Sequence, residues 1–349
     1  MKIAMVAPVE VRVPPVAYGG IEIVVSILTE ELVRRGHDVT LYASGDSVTN
    51  ARLVAVVPEY LRKTKQDPRF FTALNLIRCL EDARNYDIIH NHTHGLTLLS
   101  AGLVDTPVLT TIHGPMERDG IFGFSRYRGW YNVISKSAIS SVPLSDHLVG
   151  EVYNSIDCSM YPFNYGERGD YLLYFSRFSP EKGAVDAIRV ALKLNLPIVL
   201  AGNVADRDYF RAKILPLVDK RMIRCETEVS QERKIELMLN AKCLLAPLRW
   251  AEPFGIFIAE ALACGTPVVA YRQGAAPEIV ADGVTGYIVD SFSEMVAAVK
   301  KIDQIDSSNC RQSILDNFDV PQLADRYLAV YQKIISKKVH ATPKVIVNQ

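Results

Sequence analysis

Charged residues and glycines gather in three short stretches where work on an anionic, hydroxyl-rich ligand could be done. The first is Tyr18-Gly19-Gly20-Ile21-Glu22, between an apolar run and an amphipathic one. Two glycines there let the backbone approach a ligand closely, and the amides of a helix start carry roughly half a positive charge. A phosphate suits such a turn, and so does a turn needed only for strand-to-helix geometry. The second is Arg177-Phe178-Ser179-Pro180-Glu181-Lys182-Gly183. A planar guanidinium fork and a mobile ammonium at this spacing can converge on one anion, unless Glu181 simply pairs with an arginine. The third runs from Glu252 through Pro253, Phe254, Gly255 and Ile256 to Glu260. Glu260 falls among apolar helical residues, where a carboxylate needs a partner. A diol donating two hydrogen bonds would serve. Unpaired amides at Phe254, Gly255 and Ile256 would bind further hydroxyls. The plain alternative is one structural and one capping glutamate.

Two histidine motifs stand beside these. Thr111-Ile112-His113-Gly114 ends an apolar run, so His113 either reaches a ligand or packs against backbone. His90-Asn91-His92-Thr93-His94 places three histidines on one face if extended, a pattern that suggests zinc. No Cys, Asp or Glu nearby completes a metal set. Neither G-x-G-x-x-G nor a Walker A loop is present, so dinucleotide and ATP fingerprints are missing.

The elements that must hold these residues alternate between short apolar strands and amphipathic helices. Strands are expected at Lys2–Pro8, Asp38–Ala43, Asp87–His92, Val108–His113 and Ala138–Val142. Helices are expected at Ile21–Arg35, near Phe70–Arg84 and Leu96–Leu103, and over Ser145–Val152. Residues 158–170, with Pro162, Asn164, Gly166 and Gly169, have linker composition. The pattern then restarts with strands at Tyr171–Arg177, Pro197–Gly202, Met222–Val229, Cys243–Arg249 and Pro267–Arg272. Helices near Ala184–Leu194, Arg207–Val218, Gln231–Asn240 and Gly255–Cys264 separate them. A last helix spans Gln322–Lys338. Near-continuous apolar strands imply parallel sheets buried on both faces. Two such doubly wound domains would set a cleft between the carboxyl ends of their strands, where ligands bind in these sheets.

Composition narrows the partners. The 349 residues carry 39 Lys and Arg against 39 Asp and Glu, and the length suits about two domains. A neutral chain without basic runs is a poor match for nucleic acid, whose binding rests on clustered Lys and Arg. The tail residues Arg326, Lys333, Lys337, Lys338 and Lys344 are better read as a solvated helix face than as a membrane patch. Six cysteines without a C-x-x-C pair, several in apolar runs, read as reduced buried thiols in a cytoplasmic protein. No apolar stretch reaches membrane-spanning length, and the N-terminal apolar run is too short for a secretory signal.

Taken together, these motifs resemble the retaining glycosyltransferases of family 4, also called glycosyl transferases group 1. The resemblance rests on the glycine pair, Thr111 to Gly114, Arg177 with Lys182-Gly183, Glu252 with Glu260, the stretch Glu260 to Ala270, then Gly274, Glu278, Asp282-Gly283 and Gly286, in that order. It implies an α/β chain of GT-B fold, two facing Rossmann-like doubly wound domains with a cleft between them. Residues 1–165 would bind the acceptor and 166–320 the donor, and residues 321–349 would form a C-terminal helix able to pack back on the first domain.

By resemblance, Gly19 and Gly20 contact the donor diphosphate, which Arg177 and Lys182 neutralise. Glu260 binds the ribose, and Glu252 with the amides of Phe254, Gly255 and Ile256 holds the transferred sugar. His113 lies near the reacting centre, and residues 228–233 lie near the nucleobase. The implied activity is transfer of a hexose from a nucleoside-diphosphate sugar, UDP-hexose favoured over GDP-hexose, to a hydroxyl acceptor by a same-face route. No metal or other cofactor is implied. The acceptor, a small glycoside, natural product or lipid-linked sugar, would meet residues 115–131, including Glu117, Arg118, Asp119, Arg126, Tyr127 and Trp130. Peripheral membrane contact stays open. A nucleotide-sugar epimerase of the same fold, or a non-catalytic nucleotide-sugar binder, is the alternative. Ser176 and Ser155 depart from the family pattern, each standing where glycine is usual.

Overall fold

A computed structural model describes residues 1–16, 19–93, 96–116, 129–163 and 168–340. The chain divides into two compact units. One contains Met1–Ile134, Ile139–Val152 and Leu323–Gln349, and the other contains Ser135–Ala138 and Tyr153–Gln322.

The first unit is built on a seven-stranded sheet of order β3-β2-β1-β4-β5-β6-β7, every neighbouring pair parallel. Its strands are β1 (Lys2–Val6), β2 (Asp38–Tyr42), β3 (Arg52–Val54), β4 (Ile88–Asn91), β5 (Val108–Ile112), β6 (Trp130–Val133) and β7 (Leu148–Glu151). Helices α1 (Gly20–Arg34) and α2 (Pro68–Glu81) connect strands on this sheet. Ile3, Ala4, Met5 and Val6 are all fully buried, as a parallel strand covered on both faces requires.

The second unit carries a six-stranded parallel sheet of order β10-β9-β8-β11-β12-β13. Its strands are β8 (Leu172–Phe175), β9 (Ile198–Gly202), β10 (Ile223–Thr227), β11 (Cys243–Ala246), β12 (Val268–Tyr271) and β13 (Gly286–Val289). Its helices are α3 (Ala184–Leu194), α4 (Gln231–Asn240), α5 (Ile256–Ala263), α6 (Ala276–Ile279), α7 (Phe292–Lys300) and α8 (Ser307–Asn317). Ser230 caps α4 by accepting from the Arg233 amide, and Ser291 caps α7 in the same way through Glu294.

The structure corrects several expectations. Residues 138–142, expected as a strand, lie in a 3-10 turn, Ser137–Ser141. The backbone amides of Lys136 and Ser137 donate to the Glu278 carboxylate at 2.9 and 2.8 Å, and Ser135 accepts from Ala138. These side-chain bonds satisfy amides that a strand would have given to a ladder. The expected helix over 145–152 contains β7 instead, where Gly150 takes a positive φ of 110° and the pairing with β6 is irregular. The expected helix 207–218 breaks into a short turn, a wide π turn and a 3-10 turn around Pro216, which cannot continue a regular helix. Strands β3, β6, β7 and β13 and helices α6, α7 and α8 escaped the sequence reading. The division between the units falls at Val152, earlier than residue 165. Residues 154–158 are already tied into the second unit: Ile156 N–H donates to Phe318 O at 2.9 Å, and Cys158 N–H to Asp319 Oδ1 at 3.0 Å.

The chain ends in α9 (Val320–His340), which supplies two fully buried tyrosines to the first unit. Tyr331 OH lies 2.6 Å from His90 Nδ1, and Tyr327 OH lies 3.0 Å from Thr111 Oγ1. Thr111 donates to Asn132 Oδ1 at 2.8 Å, so His90 Nε2, at 2.7 Å from Thr111 Oγ1, must be the donor there. His90 Nδ1 therefore accepts the Tyr331 proton. Replacing Tyr331 by Phe should leave that buried acceptor unpaired and cost about 1–3 kcal/mol. A lower urea midpoint with unchanged circular dichroism is the expected result, and an unchanged midpoint would show that α9 does not anchor the strand ends.

Candidate active site

In both sheets the strand order reverses beside the first strand, between β1 and β4 in one unit and between β8 and β11 in the other. Ligands of doubly wound sheets bind outside the carboxyl ends of strands at such switch points. Most of the residues singled out by sequence lie in the segments that leave β1, β8 and β11, and His113 follows the neighbouring β5.

In the second unit, Arg177 follows β8, Lys182 lies in the turn before α3, and Trp250 and Glu252 follow β11. The Lys182 ammonium lies 4.6 Å from the centroid of the Trp250 ring, and the Arg177 guanidinium 6.0 Å from it. One indole thus gathers both cations. Each also has a carboxylate partner: Arg177 Nη2 meets Glu181 Oε1 at 3.1 Å, and Lys182 Nζ donates to Glu252 Oε2. The same Glu252 oxygen accepts from Trp250 Nε1 at 2.9 Å. The pairing of an arginine with Glu181 and the convergence of two cations therefore coexist. Arg177 Nε is buried without a hydrogen-bond partner among the described residues, a donor that a ligand could satisfy. Burial lowers the pKa of Lys182, and Glu252 opposes the shift.

Backbone crowding fixes this arrangement. A Cβ on Gly183 would lie 1.9 Å from Pro247 O, and one on Gly274 would lie 2.3 Å from both Glu252 N and O. Both glycines also adopt positive φ. Beyond Glu252, the amides of Phe254, Gly255 and Ile256 donate to no acceptor among the described residues, while Phe254 packs edge-on against Phe318.

Glu260, in α5, is 5% exposed and already has partners. Tyr161 OH and Lys234 Nζ both donate to Oε1 at 2.6 Å, and Gln231 Nε2 donates to Tyr161 OH at 3.3 Å. Sequence reasoning assigned this carboxylate to a diol. The structure adds an ammonium and a phenol, and Oε2 accepts no bond from the described residues. Lys234 and Tyr161 were missed, although Lys234 directly follows the stretch 228–233 marked for a base. Trp250 was missed as well. An aromatic residue two positions before a loop carboxylate was the available signal.

In the first unit, Gly19 precedes α1. A Cβ there would lie 2.8 Å from both Glu22 Oε2 and Pro15 Cβ, so internal packing alone requires glycine at this position. Gly20 opens the helix, and Tyr18 lies outside the described residues. Glu22, in the first turn, is 5% exposed. Burial pushes its pKa up to about 7, against its backbone hydrogen bond and Arg62, with Glu10 adding to the rise.

His113, half-buried after β5, has its Nε2 2.9 Å from Nδ1 of the buried His92. His90 and His92 are thus engaged in side-chain contacts within the unit, and His94 lies outside the described residues. Among the described residues, no group of three His, Cys, Asp or Glu side chains is arranged to hold a metal ion. Glu117, Arg118, Asp119, Arg126 and Tyr127 also lie outside them. Trp130 opens β6, with Lys337 Nζ at 4.8 Å from its ring centroid. Arg177, Lys182, Glu252 and the free amides belong to one unit, and Gly19, Gly20 and His113 to the other. All six cysteines are free, five of them buried. No helix is long and apolar enough to cross a membrane among the described residues.

Comparison with known proteins agrees with these assignments of fold. Residues 18–149 match the model for Glycosyltransferase Family 4, and residues 161–316 match the model for Glycosyl transferases group 1. The α-maltose-1-phosphate synthase of Mycobacterium tuberculosis is 25% identical over 71% of this chain and 79% of its own. Among solved structures, a sucrose-phosphate synthase from Thermosynechococcus elongatus aligns with a TM-score of 0.77 at 17% identity, covering 96% of this chain and 99% of that one. HepE of Anabaena in complex with UDP-glucose aligns at 0.72 and 19% identity, covering 95% and 100%. At such identities the structural likeness speaks for the fold.

The Glu22 environment gives a pH dependence that can be measured. Its folded pKa, about 7, lies above the ordinary value of 4.5. The associated stability is therefore complete below pH 4.5 and lost as pH rises through 7, a fall on the order of 3 kcal/mol. Glu22→Gln should abolish this slope, so that the variant becomes more stable than the parent at pH 8. Parallel urea midpoints of the two proteins from pH 5 to 8 would rule out a desolvated carboxylate.

Proposed function

As a member of the group 1 glycosyltransferases of family 4 type, with GT-B fold, this chain gives its candidate residues a reaction to serve, and we propose that it transfers a hexose from a nucleoside-diphosphate sugar to a hydroxyl acceptor with retention. The observation that carries this reading is the pair of cations, Arg177 and Lys182, gathered on Trp250 at the switch point of the second sheet, with Arg177 Nε unpaired. A diphosphate is the ligand such a pair suits. UDP-hexose is the favoured donor, a choice that the UDP-glucose complex of HepE supports.

In the proposed reaction the bond from the glycosyl carbon to the diphosphate oxygen breaks, and a bond to the acceptor oxygen forms on the same face. The acceptor proton goes to the departing phosphate. Arg177 and Lys182 stabilise the negative charge that grows on the leaving group, and removal of one such donor typically costs a factor on the order of 10² or more. These two cations take the part that a divalent ion would play, so no metal is required. Lys182 turns from Glu252 toward the phosphate when donor binds, which frees Glu252 to join the amides of Phe254, Gly255 and Ile256 on the sugar hydroxyls. Glu260, held by Lys234 and Tyr161, offers Oε2 to the ribose. On the other unit the family resemblance gives Gly19 and Gly20 the diphosphate and His113 the transferred sugar.

Calorimetric titration of Arg177→Ala and Lys182→Ala with UDP should show at least tenfold weaker binding than the parent, and undiminished affinity in both would refute the assignment. A panel of nucleotide sugars, followed by product analysis with and without chelator, should show hydrolysis or transfer of one UDP-hexose with α configuration kept and no chelator effect. A product that is the epimeric donor would point to an epimerase instead.

A further inference from the structure

Trp250 and Glu252 are tied to each other in both directions. Glu252 N–H donates to Trp250 O at 2.9 Å, which closes a tight turn over Ala251. Trp250 Nε1–H donates in return to Glu252 Oε2, also at 2.9 Å. Glu252 O accepts from Ala275 N–H at 2.9 Å. A Cβ on Gly274 would collide with the same backbone N and O, so the chain at Glu252 is closely packed as well as bonded. Its carboxylate therefore starts from a fixed point.

Two donors hold that carboxylate by a single oxygen. Oε2 accepts from Trp250 Nε1 and from Lys182 Nζ, which fills its two lone pairs, and Oε1 accepts no bond from the described residues. The two donors respond differently to an anion. A diphosphate attracts the Lys182 ammonium strongly. The indole N–H is uncharged and sits on a half-buried ring, so the same ligand exerts far less pull on it. The face of that ring lies against both Lys182 and Arg177, while its N–H edge reaches Glu252. One side chain thus touches the cationic part of the site and the carboxylate at once.

We infer that Trp250 is a positioning residue that keeps the Glu252 carboxylate in place when Lys182 leaves it, with Oε1 the atom left for the ligand. The inference deepens the proposed function and rests on it, because there Lys182 moves to the diphosphate and Glu252 serves the sugar hydroxyls. Without the indole, a carboxylate deserted by its ammonium would have no donor on its side chain and would turn after the departing cation. With the indole, Lys182 goes and the carboxylate stays. Misplacing such a group by about 1 Å can cost a factor on the order of 10² in rate.

The tie can be read directly, because the full chain has only two tryptophans, Trp130 and Trp250. Its ¹H–¹⁵N spectrum holds two indole N–H signals, and Trp130→Phe assigns them. The Trp250 signal should exchange with solvent at least about tenfold more slowly in the parent than in Glu252→Ala, as a bond to a charged acceptor implies. It should keep that protection in Lys182→Met and in the parent saturated with UDP. In transfer or donor-hydrolysis assays at pH 8, Trp250→Phe keeps an aromatic face for the cations but has no N–H. It should lose at least ~10-fold in kcat, with UDP affinity within about twofold of the parent. Trp250→His, whose Nε2–H can occupy the ring position of Nε1, should recover most of the loss. Equal exchange in the parent and Glu252→Ala, lost protection in Lys182→Met or with UDP, or parental kcat in Trp250→Phe would each overturn the inference. The exchange measurements need no change at Trp250, so they decide the matter if Trp250→Phe does not fold. If they come out as stated and the parent turns over no nucleotide sugar, the hold on Glu252 stands and the proposed reaction fails.

Discussion

A parallel strand buried on both faces leaves little room for polar chemistry along its length, because every polar side chain there must find a partner in the interior. Along β1 and β9 every residue but the first or the last is apolar and without exposed surface, so no functional group fits between. The polar residues of this chain therefore crowd the carboxyl ends, where backbone amides and carbonyls run out of ladder partners. Each such group needs a partner of its own, and the clusters described above are the solutions. Lys182 meets Glu252, Lys234 and Tyr161 meet Glu260, and His90 meets Thr111 and Tyr331. A buried pair of this type contributes little net stability, because desolvation offsets most of the attraction, yet losing one member is costly. Such sites are better understood as fixed geometry than as sources of stability.

Much of this was legible from the residues. Long apolar runs such as Ile198–Gly202 and Ile3–Val6 announced parallel strands, and the glycine and charge motifs between them announced the loops that matter. Short or half-exposed strands were not legible. β3 has three residues and β13 four, with glycine at its first position, so neither gives a periodic signal. The 138–142 stretch misled because alternating Ala, Ile, Ser and Val looks like a strand, whereas the outcome was decided by Glu278, some 140 residues away. The partners of Glu260 were hidden for the same reason. Local pattern shows that a buried carboxylate needs a partner but does not say which lysine the fold will bring.

The neutral composition takes on a more specific meaning in this light. Thirty-nine cations and thirty-nine anions cancel over the chain, and many of them cancel pairwise at short range: Arg35 with Glu31 and Asp325, Arg249 with Asp186, Lys242 with Asp303. Against that background Arg177 is distinctive. It is paired at one end of its guanidinium and unpaired at Nε, beside a lysine whose carboxylate partner is shared with an indole. Electrostatic selectivity here comes from a few incompletely satisfied donors rather than from net charge.

The placement of α9 bears on how the molecule is made. His90 and Tyr331 are 241 residues apart in sequence, and the first unit draws on three separate stretches of chain, whereas nearly all of the second is continuous from Tyr153 to Gln322. As the polypeptide leaves the ribosome, the unit begun first is the one finished last. Its strand ends, with their buried histidines, wait for the final helix while the later unit already has all but four of its residues in one run. Contacts of such high sequence separation close slowly, so the nascent first sheet is the stage at which this chain has most need of protection from aggregation.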